Sequence, residues 1–239
     1  MATAVVVAIL ALAGFAQGLT GFGFGLVSMA LLPLFIDFKD AVPLVAVLNL
    51  LVCAATLLTA RRHLEWRRVA PLAAASALGV PFGVWALVRW DARWLLAVLG
   101  AWMIAFAISE LALARWWRPR FPKWSAWPVG FISGVLGRAF NAGGPPVIAY
   151  SYSQPWGKEE TVAALQVVFG ASAVVRVGFM GGAGLMPAEL WTVLAAAVLP
   201  VLAGITLGTR LLRRVPGAAL KVVAAAFFLV MGLKYLLAP

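Results

Sequence analysis

Two arginines stand where a charge is costly. Arg138 and Arg176 lie inside long apolar stretches, about 14 and about 16 residues beyond the basic segment that leads into each, so roughly 21 and 24 Å along a helix. An ionisable side chain inside hydrocarbon marks a functional position by default. The acids are Asp37, Asp40, Glu65, Asp91, Glu110, Glu159, Glu160 and Glu189, and of these only Glu110 falls within an apolar span, near its end. Two guanidiniums without a facing carboxylate suit an oxyanion, which Arg holds through two parallel N–H···O bonds. Each has an alternative. Arg176 could snorkel its head to the membrane interface, and Arg138 could form a wall or gate without touching a ligand.

Uncharged polar residues gather at comparable depth. Gln17, Thr20, Ser133 and Asn141 flank glycine-rich breaks, and Asn49 and Gln166 lie in the spans that follow. A single buried amide could merely cap a broken helix, whereas matching amides beside two breaks fit a shared polar cavity. Covalent or metal chemistry would need a nucleophile–base pair or a ligand cluster. The chain has one histidine, His63, in a basic loop, and one cysteine, Cys53. Paired carboxylates are absent from the spans, so an enzyme is the weakest reading, and no cofactor, metal site, disulfide or proton relay is expected.

The elements that would position these groups follow from composition. The 239 residues are 64% hydrophobic and 11% charged, with a mean hydropathy of +1.00. Soluble domains are about half apolar and about a quarter charged, so the chain is an integral membrane protein. Apolar runs long enough to cross a ~30 Å hydrocarbon core fall at about 41–60, 69–89, 93–115, 160–182, 189–210 and 218–237. Shorter pieces at about 2–15 and 22–36, and at about 124–137 and 145–154, are too short to cross alone. The N-terminus lacks the basic region of a signal peptide and reads as part of the mature protein.

Between the short pieces stand GFAQGLTGFGFG (Gly14 to Gly25) and GFISGVLGRAFNAGG (Gly130 to Gly144). They superpose: Gly14 on Gly130, Phe15 on Phe131, Gly18 on Gly134, Gly21 on Gly137, Phe24 on Phe140. The match continues through VAVLN (Val45 to Asn49) and VAALQ (Val162 to Gln166), then Gly79 and Gly83 against Gly204 and Gly208. The expected fold is an all-α polytopic membrane protein with two inverted repeats, each a re-entrant broken-helix hairpin followed by three transmembrane helices. It forms one transporter domain over 1–239, with repeat one at about 1–116 and repeat two at about 124–239. Gly79/Gly83 and Gly204/Gly208 read as helix-packing grooves.

Charge supports hairpins. With three crossings per half, Arg61, Arg62, Arg67, Arg68, Arg115, Arg118, Arg120, Lys123, Lys158, Arg210, Arg213, Arg214 and Lys221 share one side, and only Lys39, Arg89, Arg93 and Lys234 the other. By the positive-inside bias the basic side is cytoplasmic, which puts both termini outside. The net charge of +11 thus belongs to short loops between spans and not to a nucleic-acid surface. Paired breaks in inverted halves point to a midplane transport site. There Gly21, Gly143 and Gly144 let backbone approach closely, and helix N-termini present N–H groups to an anion. Pro145 and Pro146 fit a helix start.

GFAQGLTGFGFG and FNAGGPP resemble the motifs of the TauE/SafE sulfite-exporter family, also called toluene sulfonate uptake permeases, and the resemblance covers nearly the whole chain. It implies a bacterial-type inner-membrane transporter of sulfur-containing anions such as sulfite, sulfoacetate or other sulfonates, working as an exporter. The family's motif positions fall on Gln17, Gly18, Thr20, Gly21, Gly23 and Gly25, and on Asn141, Gly143, Gly144 and Pro145. Arg138 departs from that pattern, where a small residue is expected. The candidate substrate-binding set is Arg138, Arg176, Gln17, Thr20, Gly21, Asn49, Ser133, Asn141, Gly143, Gly144 and Gln166. Expected partners are a small anion and the lipid bilayer, with a homodimer compatible with the Trp- and Gly-rich surface. An anion channel of the same fold is the alternative function.

Overall fold

A computed structural model describes residues 2–113, 121–141, 143–182, 189–212 and 217–237. Their helices are α1 (Ala2–Thr20), α2 (Phe24–Leu31), α3 (Phe38–Ala60), α4 (Trp66–Arg89) and α5 (Ala92–Leu113) in the first half. The second half has α6 (Ala126–Phe140), α7 (Gly144–Ser153), α8 (Lys158–Gly182), α9 (Glu189–Leu212) and α10 (Gly217–Leu237). No strand occurs among the described residues. By length and apolarity, α1, α3, α4, α5, α8 and α9 each suffice to cross a bilayer.

That set adds α1 to the expected spans. α1 runs on to Thr20 instead of ending near residue 15, so its 19 residues span about 28 Å. Gly14 and Gly18 do not break it, because both lie against the backbone of another helix. α10, Gly217–Leu237, is 21 residues long and coincides with the span expected at 218–237. The other helices agree with the expected spans to within a few residues.

Glycine contacts fix how helices pair and run. A Cβ on Gly14 would stand 2.7 Å from the Val201 carbonyl oxygen, and one on Gly18 would stand 2.2 Å from that of Ile205. Residue numbers therefore rise together along α1 and α9, which lie parallel with backbones touching. α4 and α6 repeat this: Gly130 faces the carbonyl of Leu72, and Gly134 that of Ser76. α5 and α10 run the other way, since Gly100 meets Gly232 and Leu236 while Gly232 meets Ile104. α3 pairs with α8. Exchanging the first five helices with the last five leaves this pattern of pairs unchanged. Small-residue contacts of this kind hold helices where lipid offers no hydrophobic drive.

Buried side chains form two clusters that cut across the α3–α8 pair. One joins α1, α2, α3, α5, α9 and α10 around Leu10, Phe24, Leu48, Leu99 and Tyr235, with Leu87 of α4, Phe140 of α6 and Met180 of α8 at its edge. A second joins α4, α6, α7 and α8 around Leu72, Val147, Ile148 and Val168. Phe22, between α1 and α2, packs against both. The two helix breaks meet at this seam.

Candidate functional site

The first break is made by two glycines with positive φ, Gly21 (79°) and Gly23 (110°), a region only glycine enters readily. Gln17 spans it from α1. Its Oε1 accepts the Phe24 N–H at 3.1 Å, a donor orphaned at the α2 N-terminus, and its Nε2 donates to the Gly21 carbonyl at 3.3 Å. Gln166 on α8 donates to the same carbonyl at 2.9 Å and accepts from Gln17 at 3.5 Å. Thr20 stabilises the turn by donating to Ala16 O at 2.9 Å and accepting the Phe22 N–H at 3.2 Å.

The second break turns on Asn141, whose φ of 54° is the left-handed conformation that ends many helices. Ser133, equivalent in sequence to Gln17, donates across the turn to the Gly143 carbonyl at 2.6 Å. Asn141 Nδ2 reaches Val42 O on α3 at 3.3 Å. Arg176 on α8 donates from Nη1 to the Gly137 carbonyl at 2.8 Å and to Asn141 Oδ1. Gly137 carries one of the last four carbonyls of α6, so the guanidinium meets the negative end of that helix. The side chain is 3% exposed and points to the break. It does not snorkel.

The α6–α7 segment closes on itself. At its far end Gln154 donates to Phe121 O at 2.9 Å and Tyr150 to Lys123 O at 3.4 Å, which bring the end of α7 beside the start of α6. At the tip, a Cβ on Gly25 would stand 2.3 Å from the Asn141 carbonyl oxygen. The two breaks are in contact.

Between them lies a cavity of about 50 Å³, several times the ~10–15 Å³ that admits one water. Gln17, Asn49, Ser133, Asn141, Gly143, Gly144 and Arg176 line it, as sequence suggests. Thr20, Gly21 and Gln166 do not line it and stand behind the first break, holding its shape. The Arg138 side chain lies outside the described part of the structure. Phe22, Phe24, Leu26, Val80, Phe169 and Ser172 also line the cavity and escaped the sequence reading. For two of them a signal existed: Gln166, Phe169, Ser172 and Arg176 follow at spacings of three, three and four, one face of α8. Val80 offers no such signal.

Among the described residues the lining includes one guanidinium and no carboxylate, an arrangement that suits an anion. The two helix starts contribute unequally. The first turn of α2 carries N–H groups on Phe24, Gly25 and Leu26, and Gln17 takes the first. In α7, Pro145 and Pro146 follow Gly144 directly and have no N–H, which leaves Gly144 the donor among its first three residues.

Comparison with known proteins agrees in extent with this architecture. The family model described as sulfite exporter TauE/SafE matches residues 6–235. A "Probable inner membrane transporter protein TsaS" from Comamonas testosteroni is 28% identical over 177 residues, 72% of each chain. A "Probable sulfite/organosulfonate exporter TauE" from Cupriavidus necator is 29% identical over 200 residues, 81% of this chain and 78% of the relative. No solved structure matches.

Proposed function

The chain is a multi-pass membrane protein of the TauE/SafE sulfite exporter family, and from that premise we propose that it is a secondary transporter, working outward, for sulfur-containing anions such as sulfite, sulfoacetate or other sulfonates. The anion binds between the two breaks near mid-membrane, in the inner membrane of a bacterial-type cell. The observation that carries this reading is the buried Arg176 guanidinium in a cavity whose described walls supply amides, hydroxyls and helix-start residues but no acid. Arg176 and Asn49 are the proposed direct contacts, with Ser133, Asn141, Gly143 and Gly144 around them. Gln17, Thr20, Gly21 and Gln166 keep the first tip in place. Arg138, one residue past Gly137 on the second tip, completes the proposed set.

Inverted repeats fit the helix directions. Consecutive spans joined by a short turn, such as α4 and α5 across Trp90–Asp91, must alternate in direction. Because α5 opposes α10, α4 then opposes α9, its counterpart in the other half. α1 follows α9 and α6 follows α4, so the two broken elements enter from opposite sides. Each is proposed as a re-entrant hairpin, and both termini are proposed to face outward.

Among the described residues no carboxylate lines the cavity, and the proposed movement is driven by voltage without a coupled ion. An inside-negative potential favours anion exit by about 2.3 kcal/mol per charge per 100 mV, roughly fifty-fold. Proteoliposomes loaded with sulfite test this. Efflux is expected to saturate with substrate, to follow the imposed voltage and to ignore pH and Na⁺ gradients. Flux that tracks a pH or Na⁺ gradient at fixed voltage would replace uniport with coupled transport. Unsaturable current would move the protein to the channel class, which the names of its relatives do not favour.

A further inference from the structure

The glycines on the cavity wall are not all there for one reason. At Gly25 and Gly143 a Cβ would stand 2.3 and 2.4 Å from a main-chain oxygen, so packing demands glycine. Gly144 is different. The nearest atoms to a Cβ there are Ile148 Cδ1 at 3.6 Å and Phe169 Cζ at 3.7 Å, ordinary contact distances, and its φ is not left-handed. Neither conformation nor crowding excludes alanine. What the bare Cα does provide is space on the cavity wall beside the Phe169 ring, at the start of α7 where Pro145 and Pro146 carry no N–H.

Volume gives this pair its meaning. An apolar cavity of ~150 Å³ takes one benzene, and pockets for drug-sized ligands run to ~300 Å³ and more. This one holds about 50 Å³, room for a compact oxyanion but not for an aromatic ring. The other rings on the wall are fixed: Phe24 is fully buried, and Phe22 is braced edge-on by Phe106 at 6.4 Å between centroids. Phe169 is only partly buried and borders the α7 helix start.

We propose that Gly144 and Phe169 set the size limit of the site, admitting an anion with a substituent of at most a few heavy atoms and rejecting one that carries an aromatic ring. The proposal rests on the anion-transport reading, and its test separates the two. Equilibrium binding of sulfite, methanesulfonate and benzenesulfonate is measured on the full-length protein and on Phe169→Ala, Phe169→Leu and Gly144→Ala. The native protein is expected to bind sulfite at least about tenfold more tightly than benzenesulfonate, in the range a shape-selective pocket achieves. Phe169→Ala should reduce that ratio to about threefold or less while sulfite affinity changes by less than about threefold, with Phe169→Leu intermediate. Gly144→Ala should weaken methanesulfonate more than sulfite.

An unchanged ratio in the Phe169 variants, or equal native affinity for sulfite and benzenesulfonate, overturns the size limit while leaving anion transport intact. If Phe169→Ala does not fold, Phe169→Leu decides by the same ratio. A native protein that binds none of the three anions overturns the transport reading, and the size limit with it.

Discussion

Arg176 holds its charge against the carbonyl end of α6, and this local role makes its substitution informative. Charge-assisted hydrogen bonds contribute about 1.5–3 kcal/mol each, so Arg176→Ala should weaken anion binding by about ten- to a hundredfold. Arg176→Lys keeps the charge but not the planar fork and should recover only part of it in a titration of the purified protein. Gln17 acts on stability instead. Truncation to alanine orphans the Phe24 N–H and removes one of the two amide donors to Gly21 O, and leaving a buried donor unpaired costs about 1–3 kcal/mol. Thermal unfolding in detergent should show that loss. Both residues were legible in the sequence, as polar groups at depth. Val80 was not, because an apolar side chain in an apolar span has no contrast until the neighbouring helix is placed.

Among the elements, the contact of α1 with α9 is the least forgiving. A Cβ on Gly18 would fall 2.2 Å from the Ile205 carbonyl oxygen and 2.9 Å from the Thr209 nitrogen. Backbone cannot move aside as a side chain can, so Gly18→Val should separate the pair and lower the unfolding temperature more than Gly144→Ala, whose Cβ meets only side-chain atoms. The Arg68–Glu160 bridge between α4 and α8 is the opposite case. Its N···O distance is 3.0 Å, but Arg68 is 44% exposed and is shared with Glu65. Exposed pairs contribute about 0–1 kcal/mol, so a double-mutant cycle on unfolding should give a small, salt-sensitive coupling. The end of α1 was misread because glycines within a packed helix look, in sequence, like glycines at a break. Only the partner backbone separates Gly14 and Gly18 from Gly21 and Gly23.

For the whole molecule, matched glycines and the charge split lead a sequence reading to two repeats, but neither reveals which helix each broken element packs on. α1 packs on α9 and α6 on α4, so each broken element rests on a helix of the opposite half. Periodicity within one half has no access to such a contact. Sidedness can be tested by labelling, because Cys53 is the one cysteine in the chain and is buried. In a Cys53→Ser background, an impermeant thiol reagent added outside should reach Trp90→Cys and not His63→Cys. The central claim, an anion held between two opposed helix breaks by Arg176, is tested most directly by titrating sulfite into the native protein and into folded Arg176→Ala. Saturable binding in the first, weakened at least about tenfold in the second, is the predicted result. Equal affinities in the two proteins would contradict it and place the anion elsewhere.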